Sequence, residues 1–261
     1  ELIKYTLERP FYTVVKADAY GHGAKYIAKI YSEMDTLGFC VSNFSEAMEL
    51  RNSGITKPIL ILGYTEPNKA YELFKNNLTQ TVFSLEYAKA LNDQALYPIE
   101  CHIKLDTGMT RVGFQTDEVN FGQSLTDIIE VSKMENVKIT GIFTHHAVAD
   151  SYTGDHPDFT KMQFERFDRM VSALEGMGVK LGLRHCANSA TTIAYAERHI
   201  DMCRSGIITY GLLPSGENEG MIDLKPLMTV KTTVGLVKHV PAGSQVSYGR
   251  TYTAETERVL A

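Results

Sequence analysis

Residues 12–23 read YTVVKADAYGHG, an apolar, β-branched run that reaches Lys16 and then turns out through Gly21 and Gly23. Such a run reads as a buried strand, and glycines let the chain reverse tightly into a helix. That helix follows at once, because Ala24, Ile27, Ala28 and Tyr31 recur at helical spacing. Strand, tight turn and amphipathic helix make one unit of a parallel sheet. Outward from it the unit repeats, with strands predicted at 12–17, 36–42, 59–63, 81–84, 100–105, 138–144, 182–186 and 207–211. Eight such strands are the number that closes a (β/α)8 TIM barrel, so the expected fold class is α/β. Phe167, Met170, Val171 and Leu174 mark another helix face, and these Met and Phe stripes read as core packing. Ser45 and Thr116 are the expected caps of two further helices.

After Pro214 the texture changes to Ser, Gly, Asn and Glu through Gly220, which marks a linker. The barrel is therefore assigned to 1–216 and the start of a small, mainly β domain to 217–261. In the latter, Thr229, Val230, Thr232, Thr233, Val234, Leu236 and Val237 favour a strand, Pro241, Ala242 and Gly243 a turn, and Val246 a resumed strand. Residues 1–9 read as the tail of a preceding element and 252–261 stop inside a strand-like run, so the chain is expected to be truncated at both ends.

Charged residues make up 22% of the chain and the formal net charge is −5, which argues against nucleic acid as a partner. No apolar stretch approaches the roughly 20 residues of a spanning helix, so no membrane partner is expected of this segment. Cys40, Cys101, Cys186 and Cys203 are scattered, without the close pairs of metal sites. The expectation is no metal, buried thiols and a reducing cytoplasm.

Lys16 falls at the carboxyl end of the first strand, which in a barrel is the active-site mouth. An ammonium there is costly unless it finds a partner or loses its charge, and condensation with an aldehyde does the second. Taken alone, a lysine in this place is as readily a snorkelling or ion-paired side chain.

The run VVKADAYGHG closely resembles the cofactor-lysine motif of alanine racemases. Further matches follow in the family's order: KLDTGMTRVGF (104–114), GIFTHHAVAD (141–150), RHCANSATT (184–192), RSGIITYGLLPS (204–215) and VSYGRTYTA (246–254). Six motifs in register over almost the whole chain are specific. The resemblance implies a barrel followed by a β domain, a homodimer with shared active sites, and pyridoxal 5'-phosphate bound at the barrel mouth. It implies an isomerase acting on alanine, or on serine as the alternative, that supplies D-alanine for peptidoglycan.

By the same resemblance Lys16 carries the cofactor, Tyr20 reaches its phosphate, and Asn188, Ser189, Gly206 and Ile207 complete the phosphate cradle. Small residues and backbone amides at a strand-to-helix turn suit that task, although Asn188 and Ser189 alone would read as an ordinary helix cap. Arg204 resembles the residue facing the pyridine nitrogen; on its own it could be a surface ion pair beside Asp201. A guanidinium can only donate, which leaves that nitrogen without a proton and favours racemisation over transamination. Inversion needs a proton-transfer group on each face: Lys16 on one and, by resemblance, Tyr248 of the partner subunit on the other. Because a free phenol has a pKa near 10, Tyr248 needs help, for which His145 and Arg204 are the family's candidates. Arg111 resembles the residue that holds the cofactor's phenolic oxygen and the substrate carboxylate, with Tyr248 also touching substrate. Lys104 matches a lysine that is carbamylated in many relatives, Asp150 lies near the substrate entrance, and His146 is a core or mouth-lining residue.

Ser205 stands where relatives often have proline, and Thr110 where they often have glycine. The related barrel decarboxylases use a carboxylate at the pyridine nitrogen, where this sequence offers Arg204. A single-barrel pyridoxal-phosphate carrier protein lacks the β domain and its tyrosine. A barrel with a merely structural Lys16 is the remaining alternative.

Overall fold

The computed structural model describes residues 10–261, so the expectation for 1–9 lies outside the described residues. The barrel is built from β1 (Phe11–Val14), β2 (Gly38–Val41), β3 (Ile59–Ile61), β4 (Leu78–Val82), β5 (Ile99–Asp106), β7 (Val137–Phe143), β8 (Leu183–His185) and β9 (Cys203–Ser205). A short strand, β6 (Phe114–Gln115), pairs with the end of β5. All these pairings are parallel, and the neighbour order is β8-β7-β5-β4-β3-β2-β1-β9. Between the two ends of that path, Asp201 N donates to Arg184 O at 3.2 Å and Arg204 N to Ala187 O at 2.9 Å. Two backbone bonds thus complete the ring where no regular ladder runs.

Strands buried on both faces carry near-continuous apolar runs, and GFCV in β2 and ILI in β3 are buried throughout. Alternation sorts their side chains. Tyr12, Val14, Cys40, Leu60 and Met202 cluster inside the ring. Phe39, Val41, Ile59, Ile61 and Ile103 face outward into the larger core shared with the helices. Helix Ala24–Ser32 buries Ala24, Ile27, Ala28 and Tyr31, and helix His156–Gly176 buries Phe167, Met170, Val171 and Leu174, as their spacing requires. The larger of these, Ile27, Phe167, Met170, Val171 and Leu174, contribute about 1.5–3 kcal/mol each when removed from water. The four cysteines are buried thiols.

Gly141 on β7 is set by its neighbour across the sheet. A Cβ there would lie 2.6 Å from ring atoms of His102, which fill that side of the strand. Gly141→Ala is expected to destabilise the protein by about 1–3 kcal/mol, read as a lowered denaturant midpoint, because the ring is boxed in. An unchanged midpoint would show that His102 can move aside.

Several expectations need correction. The eighth strand is Cys203–Ser205, and 207–211 is instead a 3-10 turn, Ile207–Tyr210, closed by Gly211 at φ 80°. The fourth strand begins at Leu78, ahead of 81. The first strand ends at Val14, so Val15, Lys16 and Ala17 lie beyond it. Asn43, not Ser45, caps helix Phe44–Asn52 by accepting from Glu46 N. Thr116 does not cap the helix, because its hydroxyl donates to Asp106 O, and Asn120 holds the N-cap position of helix Phe121–Val131.

The first compact unit runs to Leu227. Segment 217–227 belongs to it: Glu217 accepts from Ser151 Oγ at 2.8 Å and Tyr152 N at 2.7 Å, and Leu227 N donates to Tyr210 O at 3.1 Å. The second unit, Met228–Ala261, has two antiparallel pairs. These are β10 (Lys238–Val240) with β13 (Arg258–Leu260), and β11 (Gln245–Val246) with β12 (Tyr252–Thr253). The turn expected at 241–243 is present, with Gly243 at φ 84°. Residues 229–237, expected as a strand, have no ladder partner among the described residues, take no regular secondary structure and stay exposed. Among the described residues no helix is long and apolar enough to cross a membrane.

Candidate active site

β1 ends at Val14, and the chain then enters an uncommon conformation. Ala17, Asp18, Ala19 and Tyr20 have φ of 51°, 51°, 55° and 53°, a left-handed turn made by four L-residues in succession. Left-handed geometry costs roughly 1–2 kcal/mol per residue, so the surroundings must hold it. Asp18 Oδ1 accepts from Ala24 N at 2.6 Å, tying the turn to the next helix, and Ala19 N donates to Val15 O at 2.9 Å. Strain of this kind beside a lysine is a mark of a functional site.

Lys16 and Tyr20 open onto a cavity of about 650 Å³ at the carboxyl ends of the strands. Arg111, His145, Asn188, Ser189, Arg204, Gly206 and Ile207 line the same cavity, as do Lys104, His146 and Asp150. Twelve residues singled out in sequence, contributed by strands β5 and β9 and by the segments after β1, β5, β7, β8 and β9, are therefore brought together. Tyr248 is not among them. It lies in the second unit, in the turn between β11 and β12, where its side chain is 100% exposed. The packing role that a solitary strand tyrosine usually has is absent within that unit. Ser247, Gly249 and Arg250, at φ 61°, 73° and 54°, shape the turn that presents it.

Arg204 is buried, which removes the reading as a surface pair with Asp201; Asp201 receives Arg184 at 3.1 Å. The guanidinium donates to Thr144 O at 2.7 Å, His185 O at 3.1 Å and Cys186 O at 3.3 Å. It also reaches His185 Nδ1 at 2.8 Å and His145 Nδ1 at 3.5 Å. Because arginine only donates, His185 Nδ1 must accept, which puts the proton of the neutral ring on Nε2. His185 Nε2 then donates to His102 Nδ1 at 2.9 Å, and one guanidinium fixes two tautomers in series. Burial first, then the Arg204 charge, holds His185 well below the usual imidazole range and lowers His102 to about 3. His145 is likewise held well below it, again chiefly by burial. Phe143 stacks on His185 at 4.9 Å and lies 5.1 Å beneath the guanidinium.

Sequence reasoning missed His185 and His102. Strand parity could have found them, since His185 alternates with Leu183, and His102 with Lys104, on the inner face of the ring.

Lys16 is made less basic, first by burial and then by Arg111, while the Glu46 carboxylate opposes the effect. Lys104 is almost wholly buried; its amine donates to Leu105 O at 2.5 Å, and burial lowers its pKa to about 7. The loop to Arg111 winds around Asp106, whose carboxylate accepts from the amides of Gly108, Thr110 and Arg111 at 3.0, 3.0 and 3.2 Å. Thr110 sits there at φ 55°, a β-branched residue in a conformation that glycine adopts without cost.

At the other group of loops, Asn188 Oδ1 accepts from Thr191 N at 3.0 Å, the ordinary cap, while Nδ2 donates to His146 O at 3.2 Å. His146 Nδ1 meets Thr191 Oγ1 at 2.8 Å, and its Nε2 has no partner among the described residues. Gly206 N donates to Ser189 Oγ at 3.0 Å, and a Cβ on Gly206 would lie 2.9 Å from the Tyr20 hydroxyl. Only a glycine leaves this pair of hydroxyls open to an anion. A reactive amine, a buried guanidinium and a hydroxyl and amide cradle in one cavity fit pyridoxal phosphate.

The family described as Alanine racemase, N-terminal domain, matches residues 2–214, and that described as Alanine racemase, C-terminal domain, matches 227–261. The chain is 44% identical over 254 residues to the alanine racemase of Desulfovibrio desulfuricans, covering 96% of this chain and 66% of that protein. To the alanine racemase of Clostridium tetani it is 42% identical over 257 residues, covering 97% and 65%. The solved alanine racemase of Clostridium difficile 630 superposes with a TM-score of 0.89 at 38% identity, covering 98% of this chain and 67% of that one. The chain thus spans about two thirds of the length of these relatives.

Proposed function

This chain belongs to the alanine racemase family, and from that premise we propose that it is the greater part of a pyridoxal-phosphate-dependent racemase interconverting L- and D-alanine. The observation that carries the reading is the convergence of Lys16 and Arg204 with the Tyr20, Ser189 and Gly206 cradle on one cavity. When bound, pyridoxal phosphate supplies the electron withdrawal that acidifies the substrate Cα proton.

The chain's own residues do the rest. Lys16, whose lowered basicity keeps more of the amine neutral, carries the cofactor and, once displaced by substrate, moves the proton on one face of Cα. Tyr248 of a partner copy serves the other face, supported by the complete exposure of its side chain in its own unit. Arg204 can offer the ring nitrogen only a hydrogen bond, never a proton, and its neutral histidine partners cannot supply one either. Weak withdrawal keeps the proton exchange local, which favours racemisation. Arg111 orients the substrate carboxylate by its planar fork. His145, beside Arg204, is the neighbour through which that charge reaches the tyrosine. Asn188 and Ile207 complete the phosphate cradle.

Lys104, a buried amine close to neutrality at physiological pH, has the nucleophilicity that carbamylation requires, and the modified group would hold Arg111. We take the barrel, with 217–227 as part of its unit, as the cofactor-binding part and 228–261 as the start of the β domain, in a homodimer that supplies D-alanine for peptidoglycan. Four buried thiols support a cytoplasmic setting.

The test uses the full-length protein. Added pyridoxal phosphate should give the visible absorption of a lysine–aldehyde linkage, and solvent deuterium should enter Cα of alanine. Serine, run alongside, ranks the two substrates. The intact mass should exceed that of the unmodified chain by one carbon dioxide. A colourless protein with no exchange would end the proposal, and an unmodified mass would remove the carbamate alone.

A further inference from the structure

Glu46 stands third in the helix Phe44–Asn52 capped by Asn43, where a carboxylate ordinarily turns back to the cap residue's own amide. It does not do so here. One oxygen accepts from Ser42 N at 2.6 Å and the other from Ala17 N at 2.9 Å. Ser42 follows β2 and lines the cavity; Ala17 follows Lys16 and is the first residue of the left-handed turn. A single half-buried carboxylate therefore fastens the exits of two neighbouring strands with charge-assisted bonds.

We propose that Glu46 is a positioning residue for Lys16: by gripping the amides of Ala17 and Ser42 it holds the left-handed turn that delivers the amine to the cavity. This rests on the reading that Lys16 carries the cofactor. The grip is placed where the strain is. Of the residues in the left-handed run, Ala17 is the one adjoining the lysine, and an alanine has no side chain with which to hold itself. Asp18 fixes the far side of the same turn through Ala24 N, so carboxylates restrain both ends. Glu46 also acts by charge. Among the groups that bear on Lys16, burial and Arg111 favour the neutral amine, whereas the Glu46 carboxylate favours the ammonium. The carboxylate thus sets both where the amine sits and how readily it loses its proton.

Substitution by glutamine is informative because the amide keeps one acceptor oxygen but turns an NH2 group toward the other backbone N–H. In cofactor-free, full-length Glu46→Gln, hydrogen exchange at the Ala17 amide should rise at least about tenfold. Reductive methylation of Lys16 followed against pH should show its midpoint displaced downward, as expected when a negative charge is removed. With cofactor, kcat for alanine should fall while KM changes little. Glu46→Asp, too short to span both amides, should show the Ala17 effect with a smaller displacement of the midpoint. Glu49→Gln, on the same helix, should change none of these.

Unchanged Ala17 exchange and an unchanged Lys16 midpoint in Glu46→Gln would overturn the inference. So would a uniform rise in exchange across 44–52 that Glu49→Gln reproduces, since that marks helix fraying alone. A wild-type protein that neither links pyridoxal phosphate nor racemises alanine would instead defeat the functional reading, independently of the amide exchange.

Discussion

Full-length protein carrying Lys16→Ala is expected to show no lysine–aldehyde absorption with pyridoxal phosphate and to lose alanine racemisation by about 10⁴-fold, the upper end for a positioned proton-transfer group. The loss is large because one amine has two tasks, holding the cofactor and moving a proton. Tyr248→Phe separates them. That variant should keep the absorption, since Tyr248 lies outside the barrel unit, and should lose about 10²–10⁴-fold of solvent deuterium incorporation starting from one enantiomer. Exchange from the other enantiomer should persist through Lys16. Equal losses from both enantiomers would contradict the assignment of one base to each face.

Acidification from pH 7 to 5 should destabilise the protein steeply. His102 and His146, each lowered to about 3, and His145 and His185, both held well below 6.5, are neutral in the folded chain. Unfolding releases them to bind protons near 6.5, so below that pH the unfolded state takes up more protons and stability falls. Their contribution is fully present above 6.5 and declines as pH drops toward the folded-state values. Each histidine that stays neutral contributes a slope of about 1.4 kcal/mol per pH unit, or about 2 kcal/mol between 6.5 and 5. Denaturant midpoints measured across that range would reveal the slope. His102→Gln should reduce it, and a flat profile between pH 7 and 5 would mean that these rings are not held neutral.

Much of the fold was legible because parallel strands buried on both faces leave a plain trace of β-branched runs, of which ILI in β3 is the simplest. The eighth strand was misplaced for the same reason. IITYG has strand-like composition, but Gly206 and Gly211 let Thr209 N fold back onto Gly206 O, and the real strand, Cys203–Ser205, contains a charged residue that composition alone would discount. Residues 229–237 have strand chemistry without a strand, because a ladder is a property of two segments and no local pattern supplies the second. Within the site, the residues proposed to hold the cofactor were reached through family resemblance, since no spacing links Lys16 to Arg204. The histidine pair behind Arg204 went unread, as did Glu46. Their roles depend on which strand ends adjoin, and that is fixed only when the ring forms.

The ring is thinnest between β8 and β9, where two main-chain bonds replace a ladder. Side-chain contacts also bridge the gap: Arg204 reaches the carbonyls of His185 and Cys186 and the Nδ1 of His185, Gly206 N donates to Ser189 Oγ, and beyond the cavity lining Arg184 pairs with Asp201. Part of the join in the hoop therefore runs through the pocket itself. A molecule gripping Ser189 and Gly206 together acts as a rivet across it, so filling the pocket and keeping the cylinder shut become linked equilibria.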